Sequence, residues 1–148
     1  MEIYFVTLLF PLSSNGKKHR NFIMDEKMKT VSGVQTVLKF TYGLIPIAAG
    51  ADKFTNILAD WSKYLHPSLA SALPFKASVF MMIVGVIEII AGILVLVKPA
   101  KGAYVVSAWL ILIALNLLAS GSYLDVAVRD IAMAIGAFSL AKLSTVTE

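Results

Sequence analysis

A glutamate inside an unbroken apolar run is the first residue that asks for a chemical account. Glu88 is the one charge in Ala77–Val97, a stretch of 21 residues. At 1.5 Å per residue it lies about 16 Å from the start of that stretch. If the stretch crosses a bilayer, Glu88 is near its middle, where a charge costs about 3 kcal/mol on insertion scales. A carboxylate at that depth must be protonated, paired or in contact with water. Asp52, Lys53, Asn116, Arg129 and Asp130 lie toward the same end of neighbouring apolar stretches. These five are expected to converge with Glu88 on one polar cluster. Two kinds of chemistry fit such a cluster. One is a ligand site for a quinone headgroup, a small anion or a proton path. The other is a buried ion-pair network that fixes helix register. Lys53 and Arg129 are the candidate partners of Glu88, and Asp125 is spaced to pair with Arg129 on one helix face.

Other chemistries are excluded by what is missing. The chain has no cysteine, so disulfides, thiolate zinc sites and iron–sulfur clusters are ruled out. His19 and His66 both fall outside the apolar stretches, so no intramembrane His-ligated haem is expected. No serine in those stretches has a histidine near it, which argues against a nucleophilic triad. No phosphate loop, zinc motif or dinucleotide fingerprint is present. No catalytic constellation emerges from this chain alone. Met81 and Met82 read as packing residues, and Trp61, Tyr64 and Tyr123 as interface anchors.

Positioning the polar residues falls to four apolar segments. The sequence is 58% hydrophobic and 15% charged over 148 residues, with mean hydropathy +0.80. A soluble domain is about 45–50% apolar and about 25% charged, so the composition predicts an all-α integral membrane protein. Each of four segments approaches the ~20 residues that a span needs. They run from about Ser32 to Phe54, Ala77 to Val97, Gly102 to Ser120 and Tyr123 to Leu143. The short links Lys98–Gly102 and Ser120–Ser122 make the last three antiparallel neighbours. The longer link, Thr55–Lys76, carries Ile57, Leu58, Trp61, Tyr64 and Leu65 at helical spacing, an amphipathic pattern suited to the headgroup zone. The expected architecture is a four-helix antiparallel membrane bundle over 32–148, preceded by a poorly ordered basic segment, 1–31. The apolar run Ile3–Leu12 in that segment is too short to span.

The net charge is +4, but its distribution argues against a nucleic-acid partner. Lys17, Lys18, Arg20, Lys27 and Lys29 precede the first span, and Lys98 and Lys101 sit in a tight turn. With both termini in the cytoplasm, and Lys39 and Arg129 set aside as partly intramembrane, eight Lys/Arg fall inside against three outside, the bias that the positive-inside rule describes. Small residues define the inward faces. Gly85, Glu88 and Gly92 share a side, as do Lys39, Gly43, Pro46, Gly50 and Lys53, and Ala127, Asp130, Ala134, Ala137 and Ala141. Such stripes let membrane helices approach closely. GLIPIAAG (Gly43–Gly50) and GVIEIIAG (Gly85–Gly92) agree at five of eight positions. That match is either an old repeat or a coincidence of apolar composition.

From about Val34 to Leu143 the chain resembles the DoxX-like family of small four-helix membrane proteins. The resemblance rests on GLIPIAAGADKF (Gly43–Phe54), GVIEIIAGILVLV (Gly85–Val97) and RDIAMAIGAFSLAKL (Arg129–Leu143), in that order and spacing. It implies a bacterial-type inner (plasma) membrane location. It also implies an accessory or small-molecule-binding subunit linked to quinone-dependent redox metabolism, with lipid, a quinone and a membrane redox complex as partners. The absence of cysteine departs from related thiol-redox proteins and removes that role. The alternatives are a small proton-coupled transporter or channel built around Glu88, and a structural assembly factor.

Overall fold

The computed structural model describes residues 14–121 and 123–147. Among them there is no strand. The helices are α1 (Ser14–Thr55), α2 (Pro67–Ala72), α3 (Ala77–Val97), α4 (Pro99–Ser120) and α5 (Leu124–Thr147), with a 3-10 turn at Trp61–Tyr64. Two helices, α3 and α4, are long and apolar enough to cross a membrane. The chain divides into two compact units between Val34 and Gln35. In the first unit, helix begins at Ser14, so 14–31 is not the loose segment that the basic composition suggests; the run Ile3–Leu12 lies outside the described residues.

In the second unit the helix boundaries have local causes. Pro46 sits inside α1, where it removes one backbone donor. Pro99 occupies the first turn of α4, where a missing N–H costs nothing. Gly121 closes α4 with φ 65°, the left-handed conformation that a helix C-terminus favours and glycine adopts freely. The first part of the link after α1 departs from expectation. Ile57 and Leu58 stay 81% and 75% exposed, and between 56 and 65 only Trp61–Tyr64 turns, as 3-10 helix. The helical spacing of the apolar residues there is overruled by a carboxylate, described below.

Close packing rests on glycine. On α1 and α3, Gly50 and Gly85 face one another so tightly that a Cβ on either would stand 2.5–2.6 Å from the other's carbonyl oxygen. One heptad away a Cβ on Gly92 would stand 2.4 Å from the Gly43 carbonyl oxygen, while one on Gly43 would stand 3.4 Å from the Gly92 oxygen and meet the Leu96 side chain first. The two helices are therefore antiparallel and cross with a local two-fold relation. Exchanging them maps Gly43 onto Gly85 and Gly50 onto Gly92. The neighbours follow, since Leu96 beside Gly43 answers Phe54 beside Gly85, and Ile89 beside Gly50 answers Ile47 beside Gly92. The five-in-eight match between the two octapeptides is thus a contact: each copy is the other's packing partner.

α4 joins α3 where Gly102 abuts the Leu94–Val95 backbone, and it joins α5 through Ser107, whose hydroxyl donates to the Ala134 carbonyl at 2.8 Å. α5 returns to α1, with Gly136 against the Tyr42 hydroxyl and Gln35 Nε2 donating to Ser144 Oγ at 3.2 Å. The core reflects all four helices, with Tyr42, Ala91, Val95, Val106, Ala137 and Leu140 in one cluster. The alanine stripe of α5 is buried along its length, as its spacing predicts. The outer faces are the reverse of a soluble bundle, with Ile83, Ile90, Ile93, Leu112, Ile135 and Phe138 all exposed.

Candidate functional site

The site begins where α1 ends. Asp52 and Lys53 occupy its last turn and are both buried, but consecutive helical residues point about 100° apart, so they serve different neighbours. Asp52 turns toward the chain that follows. One carboxylate oxygen accepts from the backbone N–H groups of Ile57 at 2.9 Å and Leu58 at 3.0 Å, and from the Thr55 hydroxyl at 3.1 Å. The other accepts from the Trp61 indole N–H at 2.7 Å. Asn56, at φ 51°, makes the left-handed step that lets the chain double back, a conformation asparagine tolerates better than most residues. Asp52 thus ties Thr55–Trp61 into a strap over the helix end.

Lys53 turns into the helix packing. Its ammonium donates to Glu88 Oε2 at 2.6 Å, with both side chains buried. It also lies 3.7 Å from the centre of the Trp61 ring, in cation–π range. The strap held by Asp52 therefore sets an aromatic face against the one cation of the cluster. Glu88 reaches this point because Gly85, one turn earlier, brings α3 against α1. Its charge is answered by a lysine at hydrogen-bond distance, one of the outcomes that a carboxylate at such a position requires.

Asp130 of α5 is also buried and lies within electrostatic range of both Lys53 and Glu88. Trp109 of α4 completes the set. Its buried indole N–H is turned to the Glu88 carboxylate, at a geometry short of a well-formed hydrogen bond. Each of the four long helices thus gives one residue to the cluster: Lys53, Glu88, Trp109 and Asp130. The chain matches no protein-family model, no curated protein and no solved structure. Any account of function rests on this geometry.

Of the six residues expected to converge, three do so: Lys53, Glu88 and Asp130. Asp52 is adjacent but committed to the strap. Asn116 does not face the ion pair; its Nδ2 donates to the Tyr64 carbonyl at 3.1 Å and pins the far end of the strap to α4. Arg129 is a correction. Its side chain is 67% exposed and its Nε lies 3.7 Å from Asp130. Asp130 belongs to the buried alanine stripe, and the residue before it on a helix points out of that stripe. The choice between Lys53 and Arg129 as partner of Glu88 is settled for Lys53, and the partner of Arg129 is Asp130.

Sequence reasoning missed both tryptophans. Trp61 reads as an interface anchor, and its ring does stand 6.0 Å from Tyr64, which stacks 4.7 Å from Tyr123. Its indole N–H and its ring face, however, are turned to Asp52 and Lys53. Trp109 sits in an apolar stretch with nothing beside it to signal a polar role. The signal lay in its register, because Trp109 follows the buried Val106 by three residues and so shares the inward side of α4.

Proposed function

We propose that this chain is a multi-pass helical membrane protein whose Lys53–Glu88–Trp109–Asp130 cluster binds a neutral, carbonyl-bearing ligand of the quinone-headgroup class. The membrane part of the proposal adds α1 and α5 to the two helices that are long and apolar enough to span. It is supported by the apolar outer faces and by charges that turn inward, where spanning helices must keep them. The orientation proposed has both termini in the cytoplasm of a bacterial-type inner membrane, with the strap outside. The DoxX-like resemblance points the same way.

The single observation that carries the ligand class is the Trp109 indole N–H, buried beside the Glu88 carboxylate without a well-formed hydrogen bond to it. A buried donor without any partner costs about 1–3 kcal/mol, and a ligand oxygen that accepts from the poorly paired indole recovers part of that range. The neighbouring charges select the acceptor. Lys53 is already paired with Glu88 and Arg129 with Asp130, so an anionic ligand finds no uncommitted cation. A neutral carbonyl oxygen needs none. Trp61 supplies a flat apolar wall for an aromatic headgroup.

The test is direct because Trp61 and Trp109 are the chain's two tryptophans and both stand at the cluster. A short-chain benzoquinone analogue titrated into purified protein in mild detergent should quench intrinsic fluorescence saturably. Trp109→Phe keeps an aromatic ring and removes the N–H, and should weaken binding about tenfold, equivalent to ~1.4 kcal/mol. Unsaturable quenching, identical in wild type and Trp109→Phe, overturns the proposal.

A second reading has an observation of its own. Lys53, Glu88 and Asp130 are three buried titratable groups on three helices, a set suited to proton-coupled transport. Proton flux into liposomes that disappears in Glu88→Gln while folding is retained would favour it over quinone binding.

A further inference from the structure

The first unit carries a surface that the cluster does not use. Between Lys18 and Val34, Arg20, Ile23, Met24, Lys27, Met28 and Val31 follow one another at spacings of three and four. At 100° per residue they fall within an arc of about 140°. Ile23, Met24 and Met28 are 38%, 56% and 47% exposed, and Arg20 and Lys27 are exposed as well. The acids of this stretch, Asp25 and Glu26, both fall outside the arc. The stripe therefore combines apolar side chains with positive charge alone.

We infer that this stripe docks on the surface of an anionic bilayer. Charge complementarity selects that occupant. Long basic side chains among apolar ones suit a surface where hydrocarbon lies beneath negative headgroups, because their stems bury while their charged ends stay at headgroup level. The cytoplasmic leaflet carries such negative charge, and its attraction for basic residues extends about one Debye length. An acidic protein groove would match the charge, but methionine and isoleucine interleaved with it fit a fluid apolar layer that adapts to them.

The experiment places the full chain in nanodiscs of phosphatidylcholine alone and of phosphatidylcholine with 30% phosphatidylglycerol, and follows amide hydrogen exchange over residues 18–34. Exchange should slow about tenfold in the anionic discs, and 0.5 M salt should reverse much of the effect. Arg20→Gln with Lys27→Gln should abolish the protection. Lys18→Gln with Lys29→Gln removes the same charge from the opposite side and should leave most of it. Met24→Ser with Met28→Ser should weaken it without any change of charge. Equal exchange in the two lipids overturns the inference. So does equal loss in the two charge-matched pairs, which would leave nonspecific attraction without a docking face. Protection that appears in neutral discs and grows with protein concentration would assign the stripe to a second copy, and would overturn it equally.

Discussion

The two ends of the α1–α3 crossing are built from one plan and finished differently. Around Gly43 and Gly92, and again around Gly50 and Gly85, backbone meets backbone with corresponding neighbours. The relation breaks at two positions. Exchange of the helices carries Lys53 onto Val95 and Glu88 onto Pro46. At one end those places hold a buried ion pair at 2.6 Å; at the other they hold a proline and a valine that is 0% exposed. The glycine contacts therefore explain how the helices meet, and they do so equally at both ends. They do not call for the ion pair, since the apolar end packs without one. A reason for keeping lysine and glutamate at the other end must lie in what surrounds them there: Trp61, Trp109 and Asp130.

The largest effect expected is at the polar end. Lys53→Gln should cost about 3–5 kcal/mol, because it strands Glu88 in a buried position. The double change Lys53→Met with Glu88→Leu copies the apolar end and should recover most of that loss, or exceed wild-type stability, while quinone-dependent quenching disappears. Thermal unfolding followed by fluorescence reads both. If the double variant is as unstable as the single changes added together, the pair is not coupled and the contrast between the ends fails.

The glycines come next. Gly50→Ala and Gly92→Ala each place a Cβ against a facing carbonyl, at 2.5 and 2.4 Å, and should cost about 1–3 kcal/mol by overpacking. The two-fold relation makes the losses similar. A loss confined to one of them would mean that the ends differ in backbone spacing as well as in side chains.

Asp52→Asn sharpens the comparison, because the apolar end has no strap. The amide keeps one acceptor oxygen where the carboxylate offers two, and it removes the charge that the N–H donors share. The expected loss is about 1–3 kcal/mol. It should be accompanied by a red shift of the Trp61 emission in a Trp109→Phe background, as the ring leaves Lys53 for water. An unshifted spectrum would mean that the strap holds without Asp52. The smallest effect is expected for Arg129→Gln, within about 0.5 kcal/mol, as for most exposed substitutions. Its effect should simply add to that of Glu88→Gln.

Much of this arrangement is legible in the chain. The helical spacing of Ala127, Asp130, Ala134, Ala137 and Ala141 gives the buried face of α5 directly, and Gly85, Glu88 and Gly92 give that of α3. These faces can be read because a helix repeats its geometry at every residue. The partner of Glu88 could be narrowed to two cations but not chosen. Arg129 and Lys53 both approach the right depth, and a shift of one residue around α5 decides which points inward. The Thr55–Lys76 link was misread for a related reason. Its apolar spacing favours helix, but one carboxylate offers its backbone N–H groups a better acceptor than the next turn would, and local side-chain competition of this kind leaves no periodic trace. Trp109 was hidden by its surroundings, since an indole N–H in an apolar stretch acquires meaning only from a neighbouring helix.

The strap also has a consequence for how the molecule comes together. Every donor that Asp52 receives comes from within nine residues of it. A loop of about ten residues closes in roughly 10–100 ns, far faster than slow steps such as the docking of separate elements. The turn can therefore form while α1 is still alone, and Trp61 is brought beside Lys53 by local contacts only. When α3 arrives with Glu88, it meets an ammonium already covered on one side. The ion pair then forms by a single docking event rather than by a search among rotamers of a free lysine.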